Sequence, residues 1–377
     1  MYREIPKSVF NGRLFKSDVI LIIVTGIMIN WVPNKKINNI RIAELLEESI
    51  TKNQYTNGGP VLIKLENTIR NELKIDNTKS IVCVSNGTVA IWAAVAAMEL
   101  YHNKELQFCT QSFTFPASAQ GYLDNVIVID NDISGGIDLN RIDVASCDGI
   151  IVTNVFGNLV DIEKYEEWSR IHGKLLIFDN AATSYSFYKG KNSCNYGNAS
   201  TISFHHTKPI GFGEGGAIII DSKYERSLRN IINFGIDNTS PLTARWNRKG
   251  GNYKMSDIQA AYIVQYMEGL QGIVHRTRDL YRYFMRKIQS LESIRMFPNF
   301  SDGIPFISCL SILSSHSYEI IQKLTDNGIY SRKYYNPLEP TPAATEIYNN
   351  IVCISFHIDM TYSDIDRIVS ILCECAI

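Results

Sequence analysis

The chain has 377 residues, of which 45% are hydrophobic and 20% charged, the balance of a globular protein with room for roughly two domains. A formal net charge of -1 argues against the basic face that nucleic-acid binding requires. Eight cysteines without a C-x-x-C pair, several inside apolar runs, read as reduced, buried thiols of a cytoplasmic protein. They are not paired with histidines at ligand spacing, so no zinc or other metal site is expected.

In chain order, residues 19–29 (VILIIVTGIMI) form an apolar run too short to span a bilayer as a helix. A basic stretch precedes the run, but no small-residue cleavage site follows it. Residues 1–30 therefore read as an N-terminal extension. A signal peptide and a translation start at Met28 are the alternatives. Ile42, Leu45, Leu46 and Ile50 then fall at helical spacing, and Asn57-Gly58-Gly59-Pro60 stops that helix. Leu62, Leu65, Ile69 and Leu73 mark a second one.

Beyond them the texture becomes β-rich. Seven short runs read as strands: 81–84, 107–110, 126–129, 150–154, 175–178, 201–204 and 217–220. Near-continuous apolar strands alternating with helices predict an α/β fold with a mostly parallel sheet covered on both faces. The gap between the last two strands is too short for a helical crossover, so that pair is expected to be antiparallel. One long helix is predicted over 255–288. A large domain is expected over 31–270, followed by a smaller α+β domain over 271–377 with a closing helix at 363–373.

In open α/β sheets, ligands sit beyond the carboxyl ends of strands. The first strand runs into Ser85-Asn86-Gly87-Thr88 at a helix start, where backbone N–H groups can face an anion. The ordinary reading is an N-cap. The second ends in Gln111-Ser112-Phe113-Thr114-Phe115-Pro116, with an aromatic to stack on a planar ring or simply to fill the core. The fifth ends in Asp179, placed to cap a turn or to hold a pyridine nitrogen protonated. The sixth is followed by Lys208 and by Gly211, Gly213, Gly215 and Gly216. A desolvated lysine amine forms Schiff bases, and pyridoxal 5'-phosphate is the commonest cofactor held that way. An anion cradle, an aromatic, an acid and an amine, in that order at four strand ends, point together to such a cofactor.

Several segments carry a family resemblance: S-N-G-T at 85–88, S-F-T-F at 112–115 and F-D-N-A-A at 178–182. S-F-H-H-T-K followed by G-E-G-G at 203–216, G-N-Y-K-M-S-D-I-Q-A-A at 251–261 and R-K-Y-Y-N-P-L at 332–338 complete the set. From Trp31 to the C-terminus the chain resembles the DegT/DnrJ/EryC1/StrS sugar aminotransferases. The resemblance implies the aspartate aminotransferase-like fold (type I) of pyridoxal-phosphate enzymes. It implies that Lys208 forms the Schiff base and moves the proton, that Asp179 pairs with the pyridine nitrogen and that Phe115 stacks on the ring. It assigns the phosphate to Gly87, Thr88 and Ser203, with Asn86 among the cofactor contacts. Asn252 would reach the phosphate of a partner subunit, which implies a homodimer. Tyr330, Arg332 and Tyr334 are implied as substrate contacts. Ala182 stands where the family often has Gln or His bonding the cofactor's phenolic oxygen. The implied reaction moves the amino group of L-glutamate to the C4 ketone of a nucleotide-linked 4-keto-6-deoxy sugar. A dTDP-linked glucose derivative is expected, with a GDP-linked mannose derivative, a 3-keto sugar or a non-catalytic binding role as alternatives.

Overall fold

Seven strands form the central sheet: β1 (Lys79–Val84), β2 (Phe108–Gln111), β3 (Ile127–Ile129), β4 (Gly149–Thr153), β5 (Leu175–Asp179), β6 (Ala199–Ser203) and β7 (Gly216–Asp221). The computed structural model describes residues 28–237, 245–289, 291–297 and 303–375. Nearly all of the reading of 1–30, as extension, signal or late start, lies outside these residues. The strand order is β1-β7-β6-β5-β4-β2-β3. β2 to β6 pair in parallel, and β7 runs antiparallel to both β1 and β6. The antiparallel pairing expected from the short gap is therefore present. A single reversed strand leaves the carboxyl ends of β1, β2, β4, β5 and β6 on one edge.

Helices cover both faces, α1 (Asn39–Lys52), α4 (Ile162–His172) and α5 (Glu225–Ile231) among them, and α9 (Pro342–Asn350) lies in the C-terminal region. The apolar stripe of α2 (Pro60–Leu73) buries Val61, Leu62, Leu65, Ile69 and Leu73 in one core with Ile81, Cys83 and Ile219. Each such side chain contributes about 1.5–3 kcal/mol on burial. The opposite face carries α3 (Gly87–His102), whose alanine-rich body is buried almost all round. Asp257 fixes the corner between layers. Its buried carboxylate accepts from the amides of Val61 and Leu62 at 3.1 and 3.0 Å and from the Ser49 hydroxyl at 2.6 Å. It thus satisfies the orphan donors at the start of α2, to which the preceding Gly59 offers no side chain. A Cβ on Gly59 would lie 2.4 Å from that carboxylate, so only glycine fits there.

The predicted helix over 255–288 is two helices, α6 (Asp257–Met267) and α7 (Leu270–Ile288). Gly269 lies at the break, where the missing side chain favours a change of direction. A second sheet follows, of β8 (Arg295–Met296), β9 (Leu310–Leu313), β10 (Ser331–Arg332) and β11 (Ile351–Ile354), in the order β8-β9-β11-β10. It packs on α7, α8 (Ser317–Asp326) and the closing helix α10 (Tyr362–Cys375). Ile29 joins this second core. All eight cysteines are free thiols; seven are buried as expected, whereas Cys373 is exposed. Among the described residues no helix is long and apolar enough to cross a membrane.

Candidate active site

One cavity of about 1100 Å³ opens at the carboxyl edge of the large sheet. It is lined by Asn86, Gly87, Thr88, Phe115, Asp179, Ala182, Ser203, Lys208, Arg332 and Tyr334, so most of the expected site residues meet in one place. Asn252 and Tyr330 do not line it. Asn252 is exposed, bridged to Asn233, and outside the cavity of its own chain. Tyr330 touches the site indirectly, through the Arg332 guanidinium that donates to its hydroxyl.

The anion cradle follows from the packing of α3. Asn86 caps the helix, its side-chain oxygen accepting from the Val89 amide at 3.0 Å. The N–H groups of the first turn thus face the cavity without helical partners. Gly87 is forced by close approach, since a Cβ there would meet the Ser203 Cβ at 2.7 Å. Ser203 Oγ accepts from the His205 amide at 3.2 Å, which leaves its own O–H to donate to a bound anion.

Asp179 ends β5 and is 2% exposed. Its carboxylate accepts from the Ala181 amide at 3.0 Å and from Thr201 Oγ1 at 3.5 Å. Burial pushes its pKa up, against the opposing pull of Lys208 and these hydrogen bonds. Lys208 shows the mirror image. Burial lowers its pKa, and Asp179 opposes that shift. A buried acid lacking a full counter-ion and a buried amine biased toward its neutral form share the cavity.

These residues fit pyridoxal phosphate by the chemistry of the donor set. The helix start and Ser203 suit a dianionic phosphate, Asp179 a pyridinium nitrogen and Lys208 an aldehyde. Phe115 is about half exposed, with Tyr335 packed edge-on behind it at 5.7 Å. The backbone supports the turn that carries Lys208: the amides of Phe204 and His206 donate to the carbonyls of Gly215 and Gly213, each at 2.8 Å. A Cβ at Gly211 would lie 2.4 Å from the Phe204 carbonyl oxygen.

Ala182 presents only a methyl group. The neighbouring Thr183 hydroxyl is buried and donates to the Asn154 carbonyl at 2.6 Å, so it is already committed to the backbone. Asn154 itself lines the cavity, its amide donating to Asn180 at 2.7 Å.

Sequence reasoning missed the end of β4 and the N-terminal wall. Thr153 links the Thr114 hydroxyl, at 2.7 Å, to the surroundings of Asp179. The rule about carboxyl ends covers Thr153 and Asn154, which close a predicted strand. Trp31 lines the cavity beside Arg332 and Tyr334, with no local sequence signal for it. The Arg332 guanidinium lies 5.0, 4.5 and 4.7 Å from the ring centroids of Trp31, Tyr330 and Tyr334. It donates to both tyrosine hydroxyls, and its Nε is buried without a partner.

The chain belongs to the DegT/DnrJ/EryC1/StrS aminotransferase family, whose model matches residues 37–373. It is a pyridoxal-phosphate-dependent sugar aminotransferase. A dTDP-4-amino-4,6-dideoxy-D-glucose transaminase from Shigella dysenteriae is 26% identical, covering 85% of this chain and 92% of that protein. A GDP-perosamine synthase from Escherichia coli O157:H7 is 25% identical, covering 81% and 84%. Among solved structures, the aminotransferase PseC of Helicobacter pylori superposes with a TM-score of 0.80 at 16% identity, covering 92% of this chain and 99% of that one. That likeness bears on the fold, which is the aspartate aminotransferase-like one expected.

Proposed function

We propose that the chain moves the amino group of L-glutamate to the C4 ketone of dTDP-4-keto-6-deoxy-D-glucose, giving dTDP-4-amino-4,6-dideoxy-D-glucose (dTDP-viosamine). The observation that carries the transamination is the meeting of Lys208, whose amine is desolvated, and buried Asp179 in one cavity flanked by the start of α3. The dTDP-linked acceptor is supported by the relatives from Shigella dysenteriae and Escherichia coli that are named as dTDP-4-amino-4,6-dideoxy-D-glucose transaminases. The GDP-perosamine synthases, at comparable identity, make the GDP-linked mannose derivative the second reading.

Pyridoxal phosphate, when bound, supplies an aldehyde for amine exchange and a ring that accepts electrons from a deprotonated carbon. The chain's own residues do the rest. Asp179 keeps the ring nitrogen protonated. The first turn of α3, with Thr88 and Ser203, anchors the phosphate. Lys208 Nζ, biased to the neutral amine by burial, is the base that takes and returns a proton in each half-reaction. Phe115 covers one face of the ring. Arg332, held between Tyr330 and Tyr334, meets an anionic group of the substrate. Asn252 serves the phosphate of a second copy, a role supported by its exposure and by its not lining the cavity of its own chain, and the working unit is then a homodimer.

The test is optical. Addition of glutamate to the purified protein bleaches the visible cofactor band, and 2-oxoglutarate appears. A protein without that band, or a Lys208→Ala variant whose band and bleaching match the wild type, sinks the assignment. A panel of nucleotide keto-sugars read by mass spectrometry then separates the dTDP-linked acceptor from the GDP-linked one.

A further inference from the structure

Residues 29–35 run as a strap from the second sheet to the turn that carries Lys208. At one end Ile29 exchanges backbone hydrogen bonds with the small domain. Its N–H donates to the Gly328 carbonyl at 2.9 Å, and its carbonyl accepts from the Tyr330 amide at 3.1 Å. The Asn30 carbonyl accepts from Ser355 Oγ and is 3.0 Å from His357 Nε2. Trp31 packs edge-on against Tyr330 and Tyr334, at 5.8 and 5.6 Å, and so walls the cavity beside Arg332. At the other end the Lys35 ammonium donates to the carbonyl of Lys208 at 2.7 Å and to that of Gly211 at 2.5 Å. Its third side faces the Tyr266 ring, 4.8 Å from the centroid. Among the described residues no carboxylate forms an ion pair with Lys35.

A lysine so placed is poorly explained as a stabilising charge. Desolvating an ammonium costs free energy that two neutral carbonyls only partly offset. It is well explained as a clamp. The Gln259 side chain takes the neighbouring Phe212 carbonyl at 2.7 Å. The outward carbonyls of Lys208, Gly211 and Phe212 are therefore all held by side chains from outside the turn. The first of them belongs to the lysine that the proposed function makes the base. Its peptide plane sets where the Cα–Cβ bond points, and hence where Nζ swings.

We propose that Lys35 is a positioning residue for Lys208, and that the strap bearing it links the Trp31–Arg332 wall of the substrate site to the catalytic turn. This rests on Lys208 being the catalytic amine. Lys35→Met keeps the aliphatic stem and removes the donor. In the holoenzyme it is expected to lower kcat by about ten- to one hundredfold, the range for a misplaced but present catalytic group, with KM for glutamate little changed. The visible circular dichroism of the bound cofactor changes sign or size, and amide exchange across residues 205–216 speeds up. Lys35→Arg, which restores two donors, recovers much of the rate and the dichroic band.

The inference is overturned by a Lys35→Met enzyme with wild-type kcat and dichroism. It is equally overturned by one whose lower activity tracks only a lower melting temperature with an unaltered dichroic band. If Lys35→Met does not fold, Lys35→Gln is read by the same criteria. A wild-type protein with no cofactor band defeats the proposed function itself. A wild type with the band, beside a Lys35→Met enzyme that behaves like it, defeats only the clamp.

Discussion

The Lys208 turn and the Arg332 wall face each other across one cavity, yet they are built in opposite ways. The turn is assembled locally. Two adjacent antiparallel strands, two backbone bonds between its arms and a glycine that only fits without a Cβ set its path locally, and Lys35 and Gln259 add a clamp on its outward carbonyls from outside. The Arg332 wall is assembled from a distance. Trp31 comes from the start of the described chain, while Tyr330, Arg332 and Tyr334 come from near its end. In the proposed function the turn carries the proton-transfer chemistry and the wall meets the substrate. On that reading, local construction goes with the chemical step and long-range packing with recognition.

The contrast predicts that changes in the first region act on kcat and changes in the second on KM. The largest effect is expected for Lys208→Ala, whose turnover falls by about 10³-fold or more, the upper range for loss of a general base. Stopped-flow absorbance with glutamate measures it, and a modest loss would mean that another group carries the proton. Asp179→Asn keeps the shape and removes the charge. Removing one partner of a buried pair, here with the proposed ring nitrogen, costs about 3–5 kcal/mol, so kcat should drop by about 10² to 5 × 10³-fold. A comparable rise in KM with kcat unchanged would place Asp179 outside the electronic step.

Arg332→Met comes next. Hydrogen bonds to a charged group are worth about 1.5–3 kcal/mol, which implies a rise in KM for the anionic substrate of about 10- to 100-fold. The visible cofactor band should stay as in the wild type. A fall in kcat with KM unchanged would erase the distinction between the two regions.

The smallest effect is on stability and pH. Burial lowers the pKa of Lys35 from 10.5 to about 7. Between pH 7 and 10.5 the unfolded chain then binds more protons at this site than the folded one. The stability of the wild type relative to Lys35→Met should therefore rise with pH across that window and stay level below it. Melting temperatures of both proteins at pH 6, 7, 8 and 9 test the sign.

Most of the sheet was legible in the sequence, because strands covered on both faces carry near-continuous apolar runs. The turn at 85–88, Phe115, Asp179 and Lys208 were legible because they stand at or just beyond strand ends in a fixed order, whereas Ser203 came from the family resemblance alone. The break at Gly269 was not, since the apolar periodicity runs on either side of a single glycine. The strand order was not either, because nothing local in β1 says that its partner is β7. Trp31 and Lys35 escaped for a third reason. Both lie in a short extended segment without periodicity, and their significance comes only from what the fold brings to them. Asp257 sits within a recognisable motif, yet its work is at the start of a helix nearly 200 residues earlier in the chain.

The pairing of β1 with β7 has a consequence for how the protein is made. Lys79 and Asp221 are partners separated by 142 positions, and the contact between Gly87 and Ser203 depends on the same closure. A ribosome must therefore extrude the chain past residue 221 before the phosphate cradle and the lysine can meet. Until then the emerging chain offers β1 as an unpaired strand with an apolar stretch over 81–84, a species prone to aggregation. Completion of the sheet and appearance of the cofactor site are then one late event. Cofactor added to a refolding mixture should act after the slow pairing step, by trapping its product.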